Sequence, residues 1–443
     1  MTIDALIIGA GAAGLAAAAE LARAGRSVLM LEARDRIGGR VWTLTDSALG
    51  VPVELGAEFI HGRPRATLAL LRASGTAAVV APRTRCYLRD GKPLAMQGAL
   101  AELGAALQGA ARPRRDIAFA SFLARNPLRL SADALAIARM RAEGYDAADP
   151  ARASARAILG EWRTESVGAD AQCRPRGGYG PLLERLAGTL DRTRVELRLR
   201  SVVRAVRWRR GKVEVEGVRG SKRFRISAAR AIVTLPLGVL QLAPGAQGSV
   251  RFSPALSGKR AALERLAAGP AIKLVLRFDS AFWRGRGERR GRDAAFYHCP
   301  GAAFPTFWTA LPERAPLMTA WAGGPNAARL AGAGRRPIVC RALATLEAMF
   351  GIDGLERRLE AAWLHDWQRD PYACGAYSYQ LVGGDGAREA LAAPLRDTLF
   401  FAGEATAIGN DIGTVGGALE SGLRAARELI AAEKRRARIR DEG

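Results

Sequence analysis

The chain has 443 residues, with 67 basic against 43 acidic side chains and a formal net charge of +24. With 49% apolar residues it can bury the core of two or three domains, and it has no apolar run long enough to span a bilayer. Five widely spaced cysteines without a CxxC pair, and three histidines (His61, His298, His365) without ligand spacing, argue against a disulfide framework and against a bound metal.

The positive charge raises the question of a nucleic-acid or acidic-membrane partner. Only six of the 67 basic residues are lysines; the 61 arginines are scattered along the whole chain, and no aromatic-interleaved basic strip accompanies them. Composition bias accounts for that pattern better than nucleic-acid binding does. The opening segment MTIDALIIGAGAAG enters a strand at once and lacks the basic region and cleavage site of a signal peptide, so a cytoplasmic protein is expected.

In chain order, the first element is a short apolar strand, ALIIG, followed by Gly9, Gly11 and Gly14 as G-x-G-x-x-G and by an alanine-rich helix closed at Gly25. A second strand, SVLMLE, ends on Glu32. Strand, glycine turn, helix and terminal acid together form a dinucleotide cradle. Gly9 permits the tight turn, Gly11 lets a pyrophosphate approach the backbone, and Gly14 lets helix and strand pack closely. Glu32 can accept from both ribose hydroxyls and would repel a 2′-phosphate, which disfavours NADP. EARDRIGGR then adds Arg34 and Arg40, with Gly38 and Gly39 between, within bidentate reach of a pyrophosphate.

ELGAEFIHG (54 to 62) carries Glu58 and His61, and 82 to 170 shows helical Ala/Arg periodicity without a signature. PRGGYGPLLERLA (175 to 187) is a glycine turn and helix in which Tyr179 is a candidate for lining a cavity. RSVVRAVRWRRGKVEVEGV alternates like antiparallel strands, and FRISAARAIVTLPLGVL returns to an apolar strand. AIKLVLRF (271 to 278) places Lys273 inside an apolar run, whereas Lys92, Lys212, Lys222, Lys259 and Lys434 stand in surface-like contexts. Strict alternation puts Lys273 with Ala271, Val275 and Arg277, a face that is either functional or solvent-exposed. RGRGERRGRD (284 to 293) reads as a solvated loop, and EKRRARIRDEG as a frayed end. DWQRDPYACGAYSY (366 to 379) and LFFAGEATAIGNDIGTVGGALESGLRAARELI close the pattern with aromatics, glycine turns and an amphipathic helix.

With these motifs in order from about residue 3 to 430, the chain resembles the flavin-containing amine oxidase family, whose members include monoamine oxidases, polyamine oxidases and lysine-specific histone demethylases. The resemblance implies an α/β fold. A Rossmann-like FAD-binding domain (1–80, 172–250 and 365–443) would be interleaved with an α+β substrate-binding domain (81–171 and 251–364). Position by position it implies that Glu32, Arg34, Gly39 and Arg40 meet the ribose and pyrophosphate of FAD. Val203 would meet adenine, Glu404 the ribityl and pyrophosphate portion, and Val415 the flavin pyrimidine edge. Lys273 falls where the family keeps a lysine that holds a water against flavin N5.

Tyr377 matches one wall of an aromatic cage, while Thr414 stands at the opposite wall, leaving half a cage. Ala376 precedes Tyr377 where covalent attachment would need cysteine, and Cys374 is two residues off, so non-covalent FAD is expected. Trp367 is either a flavin neighbour or a core tryptophan. The GAEFIHG form, with His61, resembles the polyamine-oxidising branch. Glu58 is either a carboxylate for a distal ammonium or half of an ion pair with an arginine. The expected activity is oxidation of a polyamine or related secondary amine, with a small-molecule amine and molecular oxygen as partners. A monoamine or L-amino-acid oxidase, or a nucleic-acid-associated flavoprotein, are the alternatives.

Overall fold

The computed structural model describes residues 3–90, 92–94, 96–109, 113–164, 172–284, 293–409 and 411–441. A five-stranded parallel sheet lies at its centre, in the order Val195–Arg198, Val28–Leu31, Ala5–Ile8, Arg230–Val233, Leu399–Phe401. The three middle strands are buried at every position, as parallel strands covered on both faces must be. The helix Ala12–Arg23 packs on this sheet and against the last helix, Val415–Asp441, which continues through the tail expected to fray. Antiparallel strands Ser201–Arg209, Lys212–Arg219 and Lys222–Ala228 form a second sheet, joined by Arg251–Ser253.

A seven-stranded sheet is the other large layer. In it Ala271–Phe278 runs antiparallel between Leu317–Gly323 and Leu359–Asp366. Alternation along this strand sends Ile272, Leu274, Leu276 and Phe278 into one apolar core. The opposite face brings Val275 onto Val53 and Leu55 from the N-terminal region. Lys273 shares that second face, so it points into the seam between the two layers and not into solvent. The region from 82 to 170 supplies the expected helices, Gln97–Gly109, Phe119–Arg125, Ala132–Gly144 and Ala155–Thr164. Its start, however, gives the strand Arg85–Arg89, which pairs in parallel with Phe296–His298.

Residues 285–292 of the arginine-rich loop lie outside the described residues. Lys259 differs from the expected surface lysine: it is 1% exposed, and its ammonium donates to the carbonyls of Ala390 and Ala393 at the end of the helix Ala387–Ala392. A cation at a helix C-terminus satisfies carbonyls that the helix leaves free. No helix among the described residues is long and apolar enough to cross a membrane.

Candidate active site

One cavity of about 840 Å³ runs from the glycine turn to the seven-stranded sheet. Gly9, Gly11, Glu32, Arg34, Gly39, Arg40, Val203, Trp367, Glu404 and Val415 line it, and so do His61, Lys273, Tyr377 and Thr414. Gly14 does not, and its role is packing: a Cβ there would fall 2.1 Å from the Gly9 carbonyl oxygen. Gly9 needs φ of +109°. Gly11 is different, because a Cβ would meet nothing of the protein closer than 3.7 Å. The protein itself does not demand glycine at that position. The free space belongs to whatever the cavity holds, as a pyrophosphate drawn up to the backbone requires.

Glu32 is held by the backbone N–H of Ala10 (2.8 Å) and of Arg34 (2.9 Å), one on each oxygen. Burial pushes its carboxyl above the ordinary range against these donors. Each oxygen keeps a lone pair for a ribose hydroxyl. Arg34 is less free than its position suggested, because its fork is taken by Asp370 at 2.7 and 2.9 Å. Arg40 donates to Glu404 and to the Ala376 carbonyl, both at 2.8 Å. Burial raises the Glu404 carboxyl, but Arg40, Arg388 and Ser378 outweigh it and hold the group below the usual range. A β-bulge at Val203 accompanies the place where the second sheet reaches the cavity. These residues fit FAD: an acid for the ribose, a bare backbone for the phosphates, arginines beside them, and a helix N-terminus at Val415.

Lys273 is 1% exposed. Its ammonium donates to Glu58 Oε2 at 2.7 Å and to the Gly56 carbonyl at 3.0 Å, and it lies 5.2 Å from the Trp308 ring centroid. Glu58 Oε1 accepts from Arg174 Nε at 2.8 Å, and Trp308 Nε1 reaches both carboxylate oxygens. Burial raises the Glu58 carboxyl, but Lys273 and Arg174 overcome it and keep the group ionised. Of the two readings of Glu58, the ion pair is the one the geometry shows, and it joins a lysine as well as an arginine.

Tyr377 donates to the Tyr145 carbonyl at 2.5 Å, and the Tyr145 ring lies 5.3 Å from His61. Burial, then Arg83 and Arg141, push the His61 imidazole down to about 4, so it is neutral at physiological pH. Thr414 caps the last helix, its hydroxyl accepting from Gly417 N at 3.0 Å. Trp367 is buried, lines the cavity and donates to the Leu55 carbonyl at 2.9 Å. Tyr179 does not line the cavity; it is buried in the apolar core. Cys374 is also absent from the lining, and its thiol faces the carbonyls of Asp370 and Pro371. Trp308 and Arg174 carry no local motif, and Asp370 and Glu54 lie in quoted motifs without being singled out there; only tertiary pairing reveals what these four residues do.

The dinucleotide cradle and the buried lysine of the facing sheet thus line one cavity. The chain belongs to the flavin-containing amine oxidoreductase family, whose model matches residues 12–430. It is 32% identical over 465 residues to polyamine oxidase 3 of Oryza sativa subsp. japonica, covering 96% of this chain and 89% of the relative. To human lysine-specific histone demethylase 2 it is 30% identical over 458 residues, again 96% of this chain but 53% of the relative's length. It spans only 30% of the Arabidopsis thaliana lysine-specific histone demethylase 1 homolog 3, at 28% identity over 501 residues and 96% of this chain. A solved putrescine oxidase with bound putrescine shares the fold at a TM-score of 0.79 and 20% identity, covering 97% of this chain and 99% of that one. Cyclohexylamine oxidase from Brevibacterium oxydans IH-35A does so at 0.77 and 23%, covering 98% and 99%. FAD is the cofactor.

Two predictions follow from this geometry. Gly11→Val should leave the melting temperature of the FAD-free protein nearly unchanged, while FAD affinity, measured by titration calorimetry, falls by about a hundredfold or more. Glu54, beside the Lys273 seam, accepts from Tyr179 N and Thr43 Oγ1, and burial pushes it up to about 7, with Lys273 opposing. An acid with a raised folded value contributes stability that is present below its unfolded value and lost as pH rises through about 7. Chemical denaturation should therefore show the protein losing stability between about pH 5 and about pH 8, and Glu54→Gln should flatten that slope.

Proposed function

We propose that the chain is an FAD-dependent amine oxidase, and the observation that carries this reading is a buried lysine sharing one cavity with the dinucleotide cradle and Tyr377. FAD, held without a covalent bond by the glycine turn, Glu32, Arg40 and Glu404, would supply two-electron oxidation of the carbon bearing the amine, with the electrons and two protons going on to O2 as H2O2. The imine so formed takes up water and splits into a carbonyl compound and the released amine or ammonia. The protein's work is to place the C–H bond and favour the deprotonated amine. Tyr377 forms a wall for the substrate, with the Gly413–Thr414 turn beside it. Neutral His61 exchanges a hydrogen bond with the amine without adding a competing positive charge. Lys273 spends two donors on Glu58 and Gly56, and its third holds a water for imine hydrolysis or for protonation during oxygen reduction.

The same reading divides the chain into a cofactor unit of 1–80, 172–250 and 365–443 and a substrate unit of 81–171 and 251–364. The memberships of the parallel and seven-stranded sheets support it, although Arg251–Ser253 and Leu266–Gly269 pair across the boundary into the first unit. Five free cysteines agree with a cytoplasmic setting. His61 and the relatives named polyamine oxidases favour a polyamine or related secondary amine. The arginines lining the cavity favour a second reading, in which the amine also carries an anionic group.

The test is an anaerobic titration of the purified yellow protein with amines, followed by loss of the oxidised flavin band and by its return on mixing with oxygen. Bleaching by an amine and recovery with one H2O2 per turnover is the expected result; a protein that binds no FAD overturns the reading. Lys273→Met should still bind FAD and be bleached, while reoxidation or imine hydrolysis slows by about tenfold or more.

A further inference from the structure

Arg388 stands on the short helix Ala387–Ala392, behind the wall that carries Tyr377, and does not line the cavity itself. It is 4% exposed. Its terminal nitrogens are spent mainly on one residue. Nη1 donates to Ser378 Oγ at 2.7 Å and Nη2 to the Ser378 carbonyl at 3.1 Å, with a longer contact from Nη1 to the Ala405 carbonyl at 3.4 Å. Arg388 Nε is buried without a partner. Burial pushes the guanidinium below the ordinary arginine range, opposed by the charges of Glu161, Glu404 and Glu389. A cation desolvated this far, with a donor unmet, gains little net stability over an apolar side chain of similar size. What it holds is therefore the better explanation of its place.

Ser378 passes the grip on. Its hydroxyl, accepting from Arg388, donates to Glu404 Oε2 at 2.7 Å, and its backbone N–H donates to the same oxygen at 3.1 Å. The other carboxylate oxygen accepts from Arg40, which also donates to the Ala376 carbonyl, both at 2.8 Å. Tyr377 lies between Ala376 and Ser378, so the residues before and after it are fastened by one buried chain, Arg388–Ser378–Glu404–Arg40. Its strand partner Gly269 and the Tyr145 carbonyl hold Tyr377 from elsewhere. Without Arg388 the Ser378 hydroxyl is free to turn. Glu404 then loses a fixed donor together with one of the two arginine charges that keep it ionised.

We propose that Arg388 is a positioning residue of the amine oxidation: through Ser378 and Glu404 it fixes Tyr377, so that one fastening serves both the substrate wall and the cofactor-binding acid. This rests on the amine-oxidase reading and extends it to a residue outside the cavity. A small displacement of a wall that places the reacting C–H bond costs rate out of proportion to the stability involved.

The test compares FAD holoenzymes of Arg388→Met, Arg388→Lys and Ser378→Ala. Leu391→Ala, at a buried apolar position of the same helix, is the packing control. One readout is the limiting rate of anaerobic bleaching by whichever of spermidine, putrescine, benzylamine and L-leucine bleaches the wild type fastest. The other is the visible circular dichroism of the oxidised flavin, which needs no turnover. Arg388→Met should slow bleaching by about tenfold or more and change the dichroism. Arg388→Lys, keeping a donor for Ser378, should recover part of both, and Ser378→Ala should reproduce both losses. Leu391→Ala should lower the melting temperature and leave both readouts at their wild-type values. In a Tyr377→Ala background Arg388→Met should slow bleaching by less than about twofold, because the residue it positions is gone. An Arg388→Met protein with wild-type bleaching and dichroism overturns the proposal, as does an undiminished loss in the Tyr377→Ala background. If none of the four compounds bleaches the wild-type flavin, the amine-oxidase reading fails, and the dichroism of the variants still decides whether Arg388 shapes the flavin site. If Arg388→Met does not fold, Ser378→Ala decides, and wild-type rate and dichroism there overturn the proposal.

Discussion

A single buried knot ties this molecule together: the Glu58 carboxylate between Lys273 and Arg174, with the Trp308 indole closing it. Its four residues come from the loop after Glu54, the strand Ala271–Phe278, the strand Gln172–Pro175 and the strand Thr306–Thr309. Arg174 extends it through the carbonyls of Thr309 and Leu311. Removing one member would strand a buried charge, which typically costs about 3–5 kcal/mol, whereas the intact pair adds little net stability over an apolar substitute. The knot is therefore better explained as positioning than as stabilisation. It places one ammonium, with one donor left over, where the two large sheets meet.

Around that knot the cavity is divided by charge. At the cradle end, acids and arginines are paired with one another: Glu32 is held by backbone donors, Arg34 by Asp370, and Arg40 by Glu404, itself fastened by Ser378. These pairs leave a fixed set of remaining lone pairs and N–H groups for a dinucleotide, which is preorganisation in the ordinary sense. At the far end the aromatic and histidine rings are neutral, and the cations of Arg83 and Arg85 lack acids among the described residues.

Much of the cofactor side was legible because its signals are local. Strand, Gly9-x-Gly11-x-x-Gly14, helix and Glu32 lie within a few tens of residues: Gly9 is required by its own φ and Gly14 by the Gly9 carbonyl, while Gly11 leaves open space. Lys273 was legible as an anomaly, since alternation fixes its face, but strand periodicity alone does not say what covers that face. Its partner Glu58 is 215 residues away, and Arg34 finds Asp370 at 336. Pairings of that range follow from tertiary assembly and leave no pattern in the chain. Lys259 misled for the same reason: glycine and serine beside it suggested a surface, while the helix end it caps is far along the chain. Arg388 was hidden among many arginines, and only its burial against Ser378 singles it out.

The claim that one carboxylate positions the active-site lysine is tested most directly by a double-mutant cycle of Glu58→Gln and Lys273→Met. Unfolding free energy of the FAD-free protein and oxygen reoxidation of the reduced holoenzyme would be measured in all four proteins. The account predicts that each single substitution destabilises by about 3–5 kcal/mol and that the double costs less than their sum. It also predicts that Glu58→Gln slows reoxidation nearly as much as loss of the lysine does. Additive stability effects, together with normal reoxidation in Glu58→Gln, would contradict it.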